Sequence, residues 1–195
     1  MQPALVAFPA WDDSLFVQLN SHAHSAPFDV LFQALMYASN SKIAIALVLA
    51  GSLLAARGGL RRVLAVGYFS VGLTSMVVEW ILKPWIHRPR PLDAGLPLRA
   101  LVGLHHSFGF PSAHAANFAA LAAALTLARM RGAPAAWVLA GLMGYGRIYV
   151  GAHRPLDVLA GWLLGALVGM FTTRALEMVV PGESTRIREK SRSRS

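Results

Sequence analysis

Lys83 with Arg90 and Pro91, the run Pro111-Ser112-Ala113-His114, and Arg147 followed by His153 and Asp157 form three clusters, each at the end of a hydrophobic segment. Cleavage of a phosphoester needs a nucleophile and a proton donor, and a pair of histidines supplies both. Lys and Arg place positive charge where the phosphoryl oxygens gather negative charge in the transition state. The pattern points to a phosphate site at a membrane surface. No carboxylate cluster suits magnesium and no histidine cluster has zinc-like spacing, so neither metal nor cofactor is expected.

The elements that must position these groups are apolar. The chain has 195 residues, 55% of them hydrophobic, and a mean hydropathy of +0.50, too apolar for a soluble domain of this size. Eighteen Lys and Arg stand against nine Asp and Glu, but they are dispersed between apolar stretches, which favours anionic lipid over nucleic acid as the counterpart. The absence of cysteine removes thiol nucleophiles and thiolate metal sites. No Lys or Arg occurs in the first forty residues, so no cleavable signal peptide is expected and the spans themselves must target the membrane.

A spanning helix needs about 20 apolar residues. Residues 41–56, 63–82, 113–128, 133–150 and 155–180 approach that length, which predicts an all-α, polytopic membrane helix bundle of five to six transmembrane helices. Residues 11–19 put Leu15, Phe16 and Leu19 on one side with Asp12 and Asp13 in the first turn, as an N-terminal interfacial helix would. Residues 28–38 are too short to span alone; they are either re-entrant or continue the first span through Ser39-Asn40-Ser41. The expected organisation is an interfacial or re-entrant region over 1–40, a membrane-embedded domain over 41–180, and a disordered basic tail over 181–195.

Arg57, Arg61 and Arg62, Arg129 and Arg131, and the basic C-terminus mark three regions as cytoplasmic by the positive-inside bias. The N-terminal region, the 84–110 loop and the 151–154 turn then lie outside. Lys83 ends the second span, Ser112 and His114 begin the third, Arg147 ends the fourth, and His153 and Asp157 begin the fifth, so all six converge on that outer face. Asp157, Gly161, Gly165 and Gly169 recur at four-residue spacing, a stripe that would let the Ala-rich third span approach closely and draw the two histidines together. Glu79, one turn before Lys83, is an intramembrane carboxylate that needs a partner, and Lys83 is the nearest. Trp80, Trp85, Tyr145 and Tyr149 sit where an aromatic belt would place them. His87, Arg88, His105 and His106 read as rim or solvated groups of the outer loop, and His22 and His24 receive no role.

The three clusters resemble the tripartite signature of the type 2 phosphatidic acid phosphatase family, here KPWIHRPRP from Lys83, PSAH from Pro111, and GRIYVGAHRPLD from Gly146. The resemblance covers roughly residues 60–175. Ala113 replaces a Gly common in the second cluster, and Gly146 replaces a Ser that commonly precedes the third-cluster Arg, which removes one hydroxyl near the phosphate.

The resemblance implies a lipid phosphate phosphatase of a bacterial inner membrane, multi-pass, with its site facing the periplasm and its C-terminus in the cytoplasm. His153 would attack phosphorus to form a phosphohistidine, Asp157 would hold the ring's other nitrogen, and His114 would protonate the leaving oxygen. Lys83, Arg90, Arg147, Ser112 and the Ala113 amide would bind the phosphate, with Glu79 behind Lys83. Undecaprenyl diphosphate is the expected substrate, and phosphatidylglycerophosphate, phosphatidate and lipid A 1-phosphate are alternatives. A dense positive charge at the mouth supports a multiply charged head group: Lys83, Arg88, Arg90, Arg99, Arg147 and Arg154 face only Asp93, apart from Asp157. A lipid phosphotransferase would use the same residues. A non-enzymatic lipid-binding or transport protein is the reading from another class, and the presence of both histidines weighs against it.

Overall fold

The computed structural model describes residues 7–22, 25–103 and 107–179. These residues form α1 (Ala10–His22), α2 (Ala26–Asn40), α3 (Lys42–Ala55), α4 (Gly58–Met76), a π-helical stretch (Val77–Leu82) running into α5 (Lys83–Ile86), α6 (Ala113–Leu127), α7 (Ala133–Tyr149) and α8 (Pro155–Val179). The protein is an all-α membrane helix bundle. The basic tail, His24 and the His105-His106 pair lie outside the described residues.

A helix stands at each of the five expected spans, but their lengths are unequal. Gly58–Ile86 is continuous through the π stretch at 29 residues, and Pro155–Met178 covers 24; both are long and apolar enough to cross a membrane. With 15 and 17 residues, α6 and α7 fall short of the roughly 20 that a full crossing takes. The 28–38 stretch belongs to α2, which meets α3 at a bend of 76°. Ser41 makes that break, because it ends α2 and its hydroxyl then accepts from the Ala44 amide as the N-cap of α3.

The centre of the bundle is α6, whose alanines at 115, 116, 119, 120, 122, 123 and 124 are all buried. It packs most closely on α8. A side chain at Gly161 would put its first carbon 2.6 Å from the Ser112 carbonyl oxygen, and at Gly165 and Gly169 it would land on the carbonyls of Ala116 and Ala120. The glycine stripe read from the sequence is therefore what allows the two backbones to touch.

Both N-terminal helices pack onto this frame. The buried stripe of α1 is Asp12, Phe16 and Asn20, each fully inaccessible, whereas the sequence pattern put Leu15 and Leu19 beside Phe16. Two polar residues can occupy that stripe because each finds partners in the body of the protein. Asn20 receives the Arg99 amide at 2.7 Å and donates to the Tyr149 carbonyl at 2.9 Å. Phe32 and Met36 of α2 pack with Met143, Tyr149, Val150 and Ala152. Tyr149 is thus a core residue, its hydroxyl donating to Asp29 at 2.6 Å, and only Trp80 and Trp85 of the expected aromatic belt are strongly exposed.

Candidate active site

Loop geometry gathers the three clusters at one end of the helices. Chain reversal after α5 is made by His87, which takes left-handed backbone angles (φ 56°), and Pro89 and Pro91 prevent the helix from resuming. The returning strand of the loop is pinned beside it: the Gly109 amide donates to the Arg88 carbonyl at 2.7 Å, and Pro89 pairs with Phe108. At the start of α6 the Ser112 amide donates to the Asp157 carbonyl at 2.9 Å, tying it to the first turn of α8. Between α7 and α8, Gly151 (φ +86°) makes the turn, and the amides of Ala152 and His153 both donate to the Arg147 carbonyl, at 2.9 and 3.1 Å.

His153 is buried at the bottom of this convergence. Its Nδ1 lies 2.8 Å from the Gly109 carbonyl oxygen. A carbonyl only accepts, so Nδ1 carries the proton and Nε2 keeps its lone pair. Burial, followed by the charges of Arg147, Arg90 and Lys83, pushes the imidazole well below its ordinary range and keeps it neutral. The sequence reading gave the ring's other nitrogen to Asp157, and here the geometry differs. Asp157 Oδ2 is 3.6 Å from Nδ1 and accepts the Arg154 amide at 2.9 Å, while Oδ1 accepts from Arg88 at 2.5 Å. The carboxylate reaches back to the amide that opens its own helix, as the acid of a capping box does, and this draws it away from the ring.

The remaining groups surround the ring. Lys83 is buried and donates to Glu79 at 2.6 Å. Arg90 Nε donates to the Ser107 hydroxyl at 2.9 Å. His114, in the first turn of α6, lies within electrostatic reach of His153, Arg147 and Lys83, and Ala113 is the first residue of that helix, where amides point outward. Arg147 leans on the Met36 sulfur at 3.2 Å. Two buried side-chain atoms among the described residues have no hydrogen-bond partner, and both belong to this group: Ser112 Oγ and Arg147 Nε. Buried polar atoms without a partner are uncommon, and these two fall on residues of the second and third clusters.

Other cations of the outer segments are already occupied, which corrects the sequence-based count of charge at the mouth. Arg88, read as a rim group, is buried and bridges Asp157 and Asp12 at 2.5 Å each. Arg154 is buried against Asp13 and the Pro89 carbonyl. Arg99 grips Asp29 through two hydrogen bonds of 2.8 and 2.5 Å. With Lys83 on Glu79, four of the six cations are therefore paired with a carboxylate. Arg88 and Gly109 are the residues that the sequence reading missed. The available signal was the Asp12-Asp13 pair, which has no basic residue within a helical turn and so needed distant partners.

The Gly146 departure has a packing reason. A first side-chain carbon there would lie 2.9 Å from the Phe32 ring and 3.1 Å from the Met36 methyl, so α2 occupies the space a serine would take.

The sequence profile of the PAP2 superfamily matches residues 63–180, which holds every cluster of the site. Similar curated proteins include an undecaprenyl-diphosphatase of Sulfolobus acidocaldarius, 35% identical over 51% of this chain and 49% of that one. Phosphatidylglycerophosphatase B of Bacillus subtilis is 34% identical over 49% of each chain. A lipid A 4'-phosphatase of Bacteroides thetaiotaomicron is 39% identical over 45% of this chain and 42% of its own. The chain spans about half the length of these curated relatives. Among solved structures, LpxE of Aquifex aeolicus superposes with a TM-score of 0.72 at 26% identity, covering 88% of this chain and 99% of that one. With the profile covering more than half of the chain and the three clusters gathered at one end of the bundle, the protein belongs to the PAP2 superfamily.

Proposed function

We propose that this protein is a lipid phosphate phosphatase that works through a phosphohistidine on His153. The observation that carries the reading is a buried histidine whose Nδ1 is held by the Gly109 carbonyl while Arg147, Arg90 and Lys83 act on its ring. The Nε2 lone pair forms a bond to phosphorus as the bond to the leaving oxygen breaks, and His114 delivers a proton to that oxygen. Water then attacks phosphorus and gives a proton to His114. The nitrogen–phosphorus bond breaks, and its electron pair returns to Nε2. Lys83, Arg90, Arg147, Ser112 and the Ala113 amide hold the phosphoryl oxygens as their charge grows. Positive charge comes from side chains throughout, so the reaction as written uses no metal.

For substrate we infer undecaprenyl diphosphate, supported by the undecaprenyl-diphosphatases among the relatives. Charge at the mouth adds nothing to that support, since Arg88, Arg99 and Arg154 are held by carboxylates. The site faces the outer side and the C-terminus the cytoplasm, on the distribution of Arg and Lys between spans. Initial rates of the purified protein on undecaprenyl diphosphate, phosphatidylglycerophosphate, phosphatidate and lipid A, in one detergent, test the reading. We expect phosphate release that persists in EDTA, stops with vanadate and is fastest on the diphosphate. Release lost to chelator and restored by a divalent cation overturns the metal-free scheme. A tenfold preference for another lipid on the order of 1.4 kcal/mol overturns the substrate alone. Adding an acceptor lipid separates hydrolysis from phosphoryl transfer.

A further inference from the structure

We propose that Asp12 and Arg88 are positioning residues of the reaction, acting on His153 through Asp157, so that α1 forms part of the working site. This rests on the phosphohistidine reading above. Asp12 lies outside the 63–180 region that the family profile matches.

Arg88 sends one terminal nitrogen to Asp157 Oδ1 and the other to Asp12 Oδ2, both at 2.5 Å, and its plane covers the Phe8 ring at 3.8 Å. The second oxygen of Asp12 is not free to follow another group: Oδ1 accepts the Leu156 amide at 2.9 Å, next in the chain to Asp157 itself. Asp12 thus grips the first turn of α8 twice, once through its backbone and once through Arg88. Both carboxylates are fully buried and Arg88 nearly so. A buried carboxylate without a cation is strongly unfavourable, so each acid depends on the guanidinium between them.

The consequence for the ring is geometric. With Oδ1 taken by Arg88 and Oδ2 by the Arg154 amide, the carboxylate stays 3.6 Å from His153 Nδ1, and the ring hydrogen-bonds to Gly109 instead. A negative charge at that distance still favours the positive charge that the ring acquires when Nε2 bonds to phosphorus. Arg88 offsets part of that charge in either state of the ring and fixes the distance from which the carboxylate acts on it. Around the ring stand Lys83, Arg90, Arg147 and His114 on the other elements, and Asp157 is the carboxylate within ion-pair distance among the described residues. Where Asp157 sits is therefore set by a pair, Asp12 and Arg88, that touches no substrate.

The test is a double-mutant cycle on the full chain in detergent. Phosphate release is measured for the parent, Asp12→Asn, Asp157→Asn and the double variant, each normalised to folded protein and accompanied by its unfolding midpoint. We expect Asp12→Asn to lower kcat about tenfold with KM within about twofold, and to cost less than about twofold when Asp157 is already Asn. Arg88→Lys, which keeps a cation between the acids, should recover most of the kcat that Arg88→Met loses. Asp13→Asn on the same helix, which releases only the half-exposed partner of Arg154, should leave kcat within about twofold. Equal losses from Asp12→Asn in both backgrounds, or an Asp13→Asn variant as damaged as Asp12→Asn, would show that α1 serves the fold alone and overturn the proposal. If Asp12→Asn does not fold, the Arg88→Lys and Arg88→Met pair decides: equal kcat in the two overturns it. A parent that neither releases phosphate from any lipid of the panel nor binds vanadate overturns the phosphatase reading and this proposal with it, whereas an active parent with additive losses overturns this proposal only.

Discussion

At the end of the helices where the clusters meet, two sets of cations lie almost side by side in sequence and meet opposite fates. Arg88, Arg154 and Arg99 each close on a carboxylate, Asp12 with Asp157, Asp13, and Asp29. Arg147 has no carboxylate partner among the described residues and an unpartnered Nε, and Arg90 spends its Nε on a serine hydroxyl. The first set holds loops to α1, α2 and α8. The second set lies around the His153 ring instead. Two arginines two residues apart, Arg88 and Arg90, thus have different partners because one faces the acidic start of α1 and the other does not.

The widest break in this comparison comes from the histidines. His153→Ala should abolish phosphate release and His114→Ala nearly abolish it, with elution from a sizing column unchanged. His153→Ala retaining activity within about tenfold of the parent would sink the phosphohistidine scheme.

Exchanging one cation from each set comes next. Arg147→Gln should lower kcat/KM by about 10²- to 10³-fold, the usual cost of one oxyanion donor, with a nearly unchanged unfolding midpoint. Arg154→Gln should do the reverse. It orphans the Pro89 carbonyl and releases Asp13, costing about 1–3 kcal/mol of stability, while the rate per folded molecule changes little. Thermal unfolding in detergent beside initial rates separates the two. If both variants lose rate and stability together, the division into working and structural cations fails.

Much of this division was not legible in the sequence, and the reason is physical. Spacing within one element is local, so Lys83 one turn after Glu79, or glycines four apart on α8, could be read directly, and the structure shows the glycines against the alanine carbonyls of α6. The partners of Arg88 lie 76 and 69 residues away, and no periodicity encodes them. The π stretch was also hidden, since Val77–Leu82 is as apolar as the α-helix around it. Gly109 escaped because its contribution is a backbone carbonyl, which every residue carries.

A smaller effect is expected from pH. His153 is held neutral well below its ordinary range, chiefly by burial, so the rate should persist as pH falls to ~6.5 and drop only beneath it. Stability responds in the same direction but earlier. The unfolded chain takes up a proton near ~6.5 while the folded ring does not, so stability declines as pH falls through that value. The profile of kcat/KM, allowing for the ionisation of the substrate, checks the first statement and unfolding midpoints across pH check the second. An acid limb above ~7 would mean that burial and the neighbouring cations do not act on the ring as described.

The smallest effect belongs to the outermost pair, and it bears on substrate. Arg99 lies in the 84–110 loop, and counting charges along the sequence makes it part of the mouth. In the structure both ends of its guanidinium go to Asp29, whose carboxylate also receives the Tyr149 hydroxyl, and its backbone is fastened to Asn20. A second phosphate would have to displace that carboxylate before Arg99 could bind it, and a fork-to-carboxylate pair is a close competitor. Arg99→Gln should therefore leave the ratio of rates on undecaprenyl diphosphate and phosphatidate unchanged within about twofold, and lower both only through a slightly looser join between α2 and the loop. The two rates measured in one detergent check this. A tenfold fall in the ratio would show that Arg99 leaves Asp29 to hold the second phosphate, and would return it to the set of cations that meet the substrate.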